Sequence, residues 1–513
     1  MPYVSLIVEA LRARPTAVFW IAALTQGFLW VLVPTFFYAS PPGSLPEVLA
    51  VGREWQPGSW YGPPLAFWLG DIAFRAAGGH VFGVYLLSQL CVITALWALF
   101  TLGRAIAGAQ HAVMATLLLT GVSLFTAPSP EFGAAVLALP LWALALKHYW
   151  FALGEGRKAY WIALAIDLGL LLLTSYWGVL LAGLLAAFTL ATRQGRAALS
   201  HVHPWAATAL ATLIPFPHLT WLYRTGAAAV AAQLPAFDVS AGSLAGHALF
   251  WAFLLAVVVA AHYGFGILAV LASGAGLDRR AQAPQIERAS APPLALRFVF
   301  TFALAPILIG TLISAALDRP LSAAWAAVFV VMSGLGMIMA ATNPITLHRQ
   351  NILGVAWFSL LVIPPAAIVV AVLLGPWTFP HELNHQQPAA AMAQFFTDTF
   401  KRRVGKPLEI VVGDSRPAYL LTVSSPDRPR IFSAAAPNRT PWLTIEDVRL
   451  RGAVVVWALD DQTGQAPDYL RERFPDLVPE VPRTFIRPVP GILPTYRVGW
   501  AVIRPQASAK VEQ

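Results

Sequence analysis

The sequence predicts a polytopic α-helical membrane protein of about 11 transmembrane helices, followed by a small α/β domain. Three observations predict it. Of the 513 residues, 58% are hydrophobic and 12% charged, whereas a soluble domain has roughly a quarter charged. Mean hydropathy is +0.64. Apolar runs of spanning length recur as far as residue 375, where hydropathy falls and charge rises. The expected division is therefore 1–375 for the transmembrane domain and 376–513 for an extracytoplasmic α/β domain.

The first run, near 16–38, follows Arg12 and Arg14 as a signal peptide would. It continues for about 20 residues without an A-x-A-like cleavage site, which reads as an uncleaved first helix. Further spans are expected near 80–103, 111–127, 133–153, 159–174, 176–192, 204–222, 247–272, 297–317, 321–341 and 352–374. At Ser175 the alternative is one long kinked helix. Cys91 is the one cysteine, lies in an apolar run and reads as a small buried hydrophobe. An intramolecular disulfide is thereby excluded.

Orientation follows from the basic residues. With the N-terminus cytoplasmic, the inside loops hold Arg12, Arg14, Arg104, Arg157, Lys158, Arg193, Arg196, Arg279, Arg280, Arg288 and Arg349. The outside loops hold Arg53, Arg75, Arg224 and Arg319. The net charge of +9 is thus largely a topology signal, and no nucleic-acid partner is expected. The residues 40–79 and the C-terminal region fall on the outside. The Ala-rich, Arg-over-Lys composition fits a GC-rich bacterium.

In the C-terminal region, 389–405 has a helical pattern, and 408–414, 452–459 and 495–503 read as strands. The stretch 466–474 reads as a short helix. Gly413 and Asp414 close a strand, where α/β folds often bind ligands, but one Gly-Asp pair is a weak signal and a structural turn is the plainer reading.

The outside loop contains two candidate interfacial helices. In "LPEVLAVGREW" (45–55) the apolar positions share one side. "PPLAFWLGDIAFRAAG" (63–78) opens on prolines, which suit a helix start. Trp55, Trp60, Tyr61 and Trp68 form an aromatic belt, and Trp60, Tyr61, Pro63, Pro64 and Trp68 would border a cavity. Asp71 precedes Arg75 by one helical turn, the spacing of a surface ion pair.

The order of these features, with "PPLAFWL", "TSYWGVLLAGLLAAFTL" (174–190) and "IPFPHLTWL" (214–222), resembles bacterial family 39-type membrane glycosyltransferases of the GT-C class. These are relatives of protein O-mannosyltransferases and of the lipid A aminoarabinose transferase. The resemblance covers about residues 10–375. It implies transfer of a sugar from a polyprenyl-phosphate-linked donor to an envelope lipid, glycan or protein, at the outer face. An acid in the first loop would activate the acceptor hydroxyl, and cations would hold the carrier phosphate.

The sequence departs from that pattern at three places. Ser44 and Leu45 stand where the family has an Asp-Glu pair, Gly62 where a lysine often precedes the double proline, and Ser175 where a lysine precedes Tyr176-Trp177. Glu47 and Glu131 are the candidate replacement acids; their plainer readings are a solvated or capping charge and a helix cap. Arg53, His218 and Arg224 are candidates for the donor phosphate or carrier. The plainer readings of His218 and Arg224 are a packed helix-end histidine and an interface anchor. His262 and Tyr263 lie inside a span, where a bond to a neighbouring helix accounts for the histidine. "HELNH" (381–385) matches a zinc-protease pattern literally, but it follows Pro380 at a span's end and has no third ligand downstream. No metal site and no cofactor are expected, with a divalent metal left open.

Two other readings stand beside the transferase. One is a catalytically silent relative that binds a lipid-linked glycan or serves as an assembly partner, favoured by the missing acids and lysines. The other is a transporter, disfavoured because the sequence shows no intramembrane charge network.

Overall fold

The computed structural model describes residues 9–226, 230, 244–273, 285–288, 290–318, 321–341, 343–346, 350–378, 381–459 and 465–506. Arg279, Arg280, Arg319, Arg349 and Pro380 lie outside them. In chain order the helices are α1 (Pro15–Phe37), α2 (Leu45–Gly52), α3 (Leu65–Ala76), α4 (Phe82–Ala107), α5 (Ala109–Thr120), α6 (Ala134–Tyr149), α7 (Tyr160–Leu172), α8 (Gly178–Ala191), α9 (Arg193–Ala198), α10 (Val202–Leu213), α11 (Phe216–Arg224), α12 (Leu244–Ala261), α13 (Tyr263–Ser273), α14 (Pro293–Ala316), α15 (Ala323–Phe329), α16 (Ser333–Ala340) and α17 (Gln350–Thr378). A two-residue ladder of β1 (Gln285–Ile286) and β2 (Ile345–Thr346) lies among them. The C-terminal region adds α18 (Ala389–Val404), β3 (Ile410–Val412), α19 (Arg416–Ser424), β4 (Arg430–Phe432), α20 (Ile445–Arg451), β5 (Ala453–Ala458), α21 (Asp468–Arg473), β6 (Arg483–Phe485) and β7 (Tyr496–Ile503).

Among the described residues, 6 helices are long and apolar enough to cross a membrane, and the pair α15–α16, bent by 43°, makes up to 7. Shorter apolar helices occupy Ala109–Thr120, Tyr160–Leu172, Gly178–Ala191 and Tyr263–Ala272. This is a multi-pass membrane protein. The expected single spans near 204–222, 247–272 and 321–341 are each broken. Pro215 and Pro217 lie at the first break, where each lacks the backbone N–H that would continue the helix. At the second break His262 turns Nδ1 to Val258 O (2.7 Å) and Nε2 to Ser333 Oγ (3.2 Å). That matches the structural reading of this histidine. At Ser175 the chain makes two helices, α7 and α8, joined by a turn.

The chain divides into two compact units. The first comprises Met1–Leu32, Gly62–Leu65 and Tyr85–Ile368, the second Val33–Tyr61, Ala66–Val84 and Val369–Gln513. In the first unit the window over Ala134–Gly154 is 89% buried, against 17% for α12 and 22% for α17. The former is thus a central helix, while the latter two turn apolar side chains outward, as lipid-facing helices do. Tyr149, Phe188, Phe298 and Phe302 pack as an aromatic core around α6, α8 and α14.

One expectation fails here. Lys147, His148 and Asp167 form an intramembrane charge cluster that the sequence did not reveal. His148 Nδ1 meets Asp167 Oδ2 at 2.5 Å, and the buried Lys147 lies 4.1 Å from the centre of the Trp97 ring. Lys147 and His148 end α6 and Asp167 comes from α7, so no local pattern announces the pairing. The cluster ties α6 to α7, and the absence of such a network is no argument against transport.

In the second unit the sheet runs β4-β3-β5-β7-β6. β3 is parallel to β4 and β5, and β7 is antiparallel to β5 and β6. The parallel strands are buried on both faces, hence their unbroken apolar runs. Ile410, Val412, Phe432, Val455 and Trp457 pack with Val448 of α20 and Leu470 of α21. The other face is covered by α18 and α19. The expected helices and three strands are present. β4 and β6, of 3 residues each, were too short to read from the sequence.

Candidate functional site

The second unit brings the first loop and the C-terminal region together. Arg416, at the start of α19, donates to the carbonyls of Pro41, Gly43 and Asn384 and to Gln387 Oε1. One guanidinium so fixes the entry to α2. At the other end Gly52 lies against the Phe67 carbonyl of α3, too close for any side chain.

Between these points α2 presents Glu47. Ser44 is the N-cap of α2 and Glu47 stands three residues on, yet the Ser44 side chain makes no capping bond. Nor does the Glu47 carboxylate have a hydrogen bond or ion pair among the described residues. Burial raises its pKa above the ordinary carboxylate range, and Arg439 partly counters this. Glu47 is partly buried and lies in the first turn of α2. Beside it the Tyr61 and Tyr419 hydroxyls share a hydrogen bond of 2.9 Å. Burial also raises the pKa of Tyr61, with smaller effects from Tyr419, Glu47, Arg439 and Asp414.

Asp414 follows β3, where the parallel strands end. It accepts hydrogen bonds from the Ser433 hydroxyl and from Ala435 N (3.0 Å), bracing the turn after β4. Gly413 passes the Val456 carbonyl with no room for a Cβ.

A second carboxylate, Asp71 of α3, is fully buried. It accepts from Arg75 Nε at 2.7 Å, Trp55 Nε1 at 3.1 Å and Arg428 Nη1 at 3.3 Å. The Arg75 pair has the expected one-turn spacing, but Asp71 does more than pair along its helix. Trp55 (φ 50°) and Arg428 (φ 45°) are both left-handed, a conformation unfavourable by about 1 kcal/mol or more for such residues, and Asp71 holds both. Next to it Arg430 grips Glu54 at 3.0 and 2.5 Å. Arg53 lies in the same basic group; burial lowers its pKa, and its buried Nη1 has no hydrogen-bond partner among the described residues. Trp68 stacks on Trp55 at 6.0 Å and donates to the Gln56 carbonyl.

The first unit carries the remaining candidates. Buried His218 meets the Tyr176 hydroxyl at 3.3 Å and stacks between Tyr176 and Trp221. Arg224, at the end of α11, is exposed. Glu131 is exposed and sits in the turn before Gly133, the N-cap of α6, rather than on the helix itself. Pro63 and Pro64 are buried immediately ahead of α3, and Leu65 N donates to Leu173 O at 3.1 Å. Ser175 accepts from Trp177 N at 3.2 Å. Trp60 is partly buried in the second unit.

The HELNH stretch is not an α-helix: Asn384–Gln386 form a short 3-10 turn. His385 stacks on Tyr38 at 4.2 Å, and burial brings its pKa down to about 4. Glu382 pairs with Arg487. Among the described residues no group of three or more His, Cys, Asp or Glu is placed to hold a metal ion.

Residues 61–221 match the family model of dolichyl-phosphate-mannose-protein mannosyltransferases. Over those residues the chain resembles that family. Its fold is similar to that of ArnT from Cupriavidus metallidurans bound to undecaprenyl phosphate. The TM-score is 0.59 at 14% identity, over 96% of this chain and 98% of that one. The apo state of ArnT from the same organism gives 0.57 at 14% identity, over 96% and 99%. No curated protein sequence matches the chain.

The departures from the resembled pattern have local reasons. Gly62 has φ 135°, a conformation that side-chain-bearing residues rarely adopt, so a lysine there would be strained. Leu45 is fully buried and Ser44 is an N-cap. Tyr419, Arg439, Arg416 and Arg428 could not be found from the sequence, because nothing local links them to a loop more than 300 residues earlier.

Proposed function

We propose that this protein is a GT-C glycosyltransferase that transfers a sugar from a polyprenyl-phosphate-linked donor to a cell-envelope acceptor at the outer face of a bacterial inner membrane, with its N-terminus cytoplasmic and its C-terminal domain periplasmic. The observation that carries the reading is Glu47, which is partly buried, unpartnered and raised in pKa inside a glycosyltransferase fold. A carboxylate in that state is a stronger base than one in water. It takes the proton of an acceptor hydroxyl, whose oxygen attacks the anomeric carbon. The bond from that carbon to the phosphate oxygen breaks with inversion, and polyprenyl phosphate leaves with the electron pair. Arg53, His218 and Arg224 are proposed to stabilise the carrier phosphate, and Glu131 is the alternative base. Undecaprenyl phosphate bound to ArnT supports a lipid-phosphate carrier.

The test is transfer of labelled sugar in vesicles holding the protein, across a panel of polyprenyl-phosphate sugars, beside Glu47→Gln and Glu131→Gln. Loss in the Glu47 variant alone is the expected result. Transfer surviving in both variants removes both bases. No transfer from any donor, by a folded protein that still binds the carrier, supports the second reading, a silent relative. That reading draws on the neutral residues Ser44, Leu45, Gly62 and Ser175.

A further inference from the structure

The loop between β6 and β7, residues 486–495, reads IRPVPGILPT. Arg487 is its one charged residue, and the fold turns that charge inward. Arg487 donates from Nη1 to Glu382 at 3.2 Å and from Nε to the Pro494 carbonyl at 2.7 Å, with its side chain only 13% exposed. The isoleucines go the other way: Ile486 is 84% exposed and Ile492 58%. A loop that faces water puts its charge out and its large apolar side chains in. This one does the reverse.

The loop is also tied to a membrane helix. Ile492 N donates to the Pro376 carbonyl at 2.8 Å, and Gly491 lies so close to that carbonyl that no side chain would fit. Pro376 belongs to the last turn of α17, whose apolar stretch Ile352–Thr378 has 27 residues. At 1.5 Å per residue that is about 40 Å, longer than a hydrocarbon layer of roughly 30 Å, so the helix end reaches the headgroups. Trp377, the next residue, is 59% exposed and of the type that marks this level. The backbone suits the same place. An unpaired N–H is unfavourable among acyl chains; Pro488, Pro490 and Pro494 have none, and that of Ile492 is taken by Pro376.

We propose that residues 486–495 are a membrane anchor, which seats Ile486 and Ile492 at the boundary of headgroups and acyl chains in the leaflet where α17 ends. This holds whether or not the protein transfers a sugar. Lipid is the occupant that fits. The patch continues from the outward apolar side chains of α17, among them Leu373 and Leu374, and exposed apolar surface of that kind marks a membrane contact. Two isoleucines are too little for a protein partner, since a stable interface takes about 800 Å² from each side. Arg487 and Glu382 are 105 positions apart. The domain that leaves the bilayer after α17 therefore meets it again far along the chain, and two attachments prevent it from swinging about one hinge.

The test uses the full chain in phospholipid nanodiscs. Nitroxide labels are attached in Ile486→Cys, in Ile492→Cys and, as the water-facing reference, in Glu472→Cys; all three positions are exposed. Cys91 is buried, and the parent protein gives its background. Electron paramagnetic resonance then compares collisions with oxygen, which concentrates in hydrocarbon, and with a nickel chelate, which stays in water. The oxygen-to-nickel ratio at 486 and at 492 should exceed that at 472 by about fivefold or more. Nickel access at either position equal to the reference overturns the proposal. So does shielding from both reagents, which would mean that protein covers the loop. A second measurement needs no substitution. The parent is cross-linked to a phospholipid with a diazirine just below its headgroup and digested with trypsin, which does not cut between Arg487 and Pro488, so that the peptide 484–497 carries the whole loop. Lipid adducts on that peptide are expected, and adducts on α17 without any on the peptide overturn the anchor.

Discussion

Asp71 and Glu47 belong to the same unit, on the successive helices α3 and α2, and they end in opposite circumstances. Asp71 is fully buried and receives three donors from three parts of the chain. Glu47 is partly buried and receives none among the described residues. Burying an unpaired charge is unfavourable, and a fold that supplies three partners to one acid had the means to supply them to the other. The saturated carboxylate organises its unit, whereas the unsaturated one is the base proposed above.

The strongest way to break this comparison is Asp71→Asn. It should destabilise the unit by about 3–5 kcal/mol, the usual effect of breaking a buried ion pair. Thermal unfolding and protease resistance of the purified protein check it. An unchanged midpoint would make Asp71 as dispensable as a surface charge.

Glu47→Gln should act with the opposite sign on stability while reducing transfer by about 10²–10⁴-fold. An acid whose folded pKa is raised above its ordinary value of 4.5 binds more protons folded than unfolded, so its contribution to stability is lost as pH rises above that value. The Gln variant should therefore unfold at a higher temperature than the parent at pH 7, and at the same temperature near pH 4. A lower midpoint at pH 7 would show that Glu47 has a structural partner after all. The activity of the parent should fall on the acid side at a pH above the ordinary carboxylate range.

Gly52→Ala sharpens the comparison by moving one helix against the other. A methyl there meets the Phe67 carbonyl, a clash of about 1–3 kcal/mol. Transfer should fall with it, because α2 carries Glu47. Thr444→Ala is the smallest change. It breaks the capping box of α20, at about 1 kcal/mol, and should leave transfer unaltered. A loss of transfer there would mean that general destabilisation, not the Glu47 region, controls activity.

Much of this was legible in the sequence. The spans, the two loop helices and the strands at 410–412, 453–458 and 496–503 each carry their own periodicity. The breaks at Pro215 and His262 were less visible, since hydropathy is continuous across them. Glu47 could be named as a candidate from one helical turn of spacing. Its surroundings could not be named, because Tyr419 and Arg439 belong to a helix start and a turn whose local sequence describes only themselves. The same holds for Asp71: its pairing with Arg75 is written at i,i+4, but Arg428 is 357 positions away.

The hydrogen bond between Arg430 and Glu54 joins residues 376 positions apart. Synthesis at roughly 5–20 residues per second separates the two ends by about 20–75 s. Throughout most of that interval the nascent first loop holds Glu54 without Arg430, Asp71 without Arg428, and the Pro41 and Gly43 carbonyls without Arg416. The loop is made early and completed late. A ribosome that stalls in the last third of the message leaves a membrane domain whose earliest loop is still unfinished, and a quality-control protease has that whole window in which to recognise it.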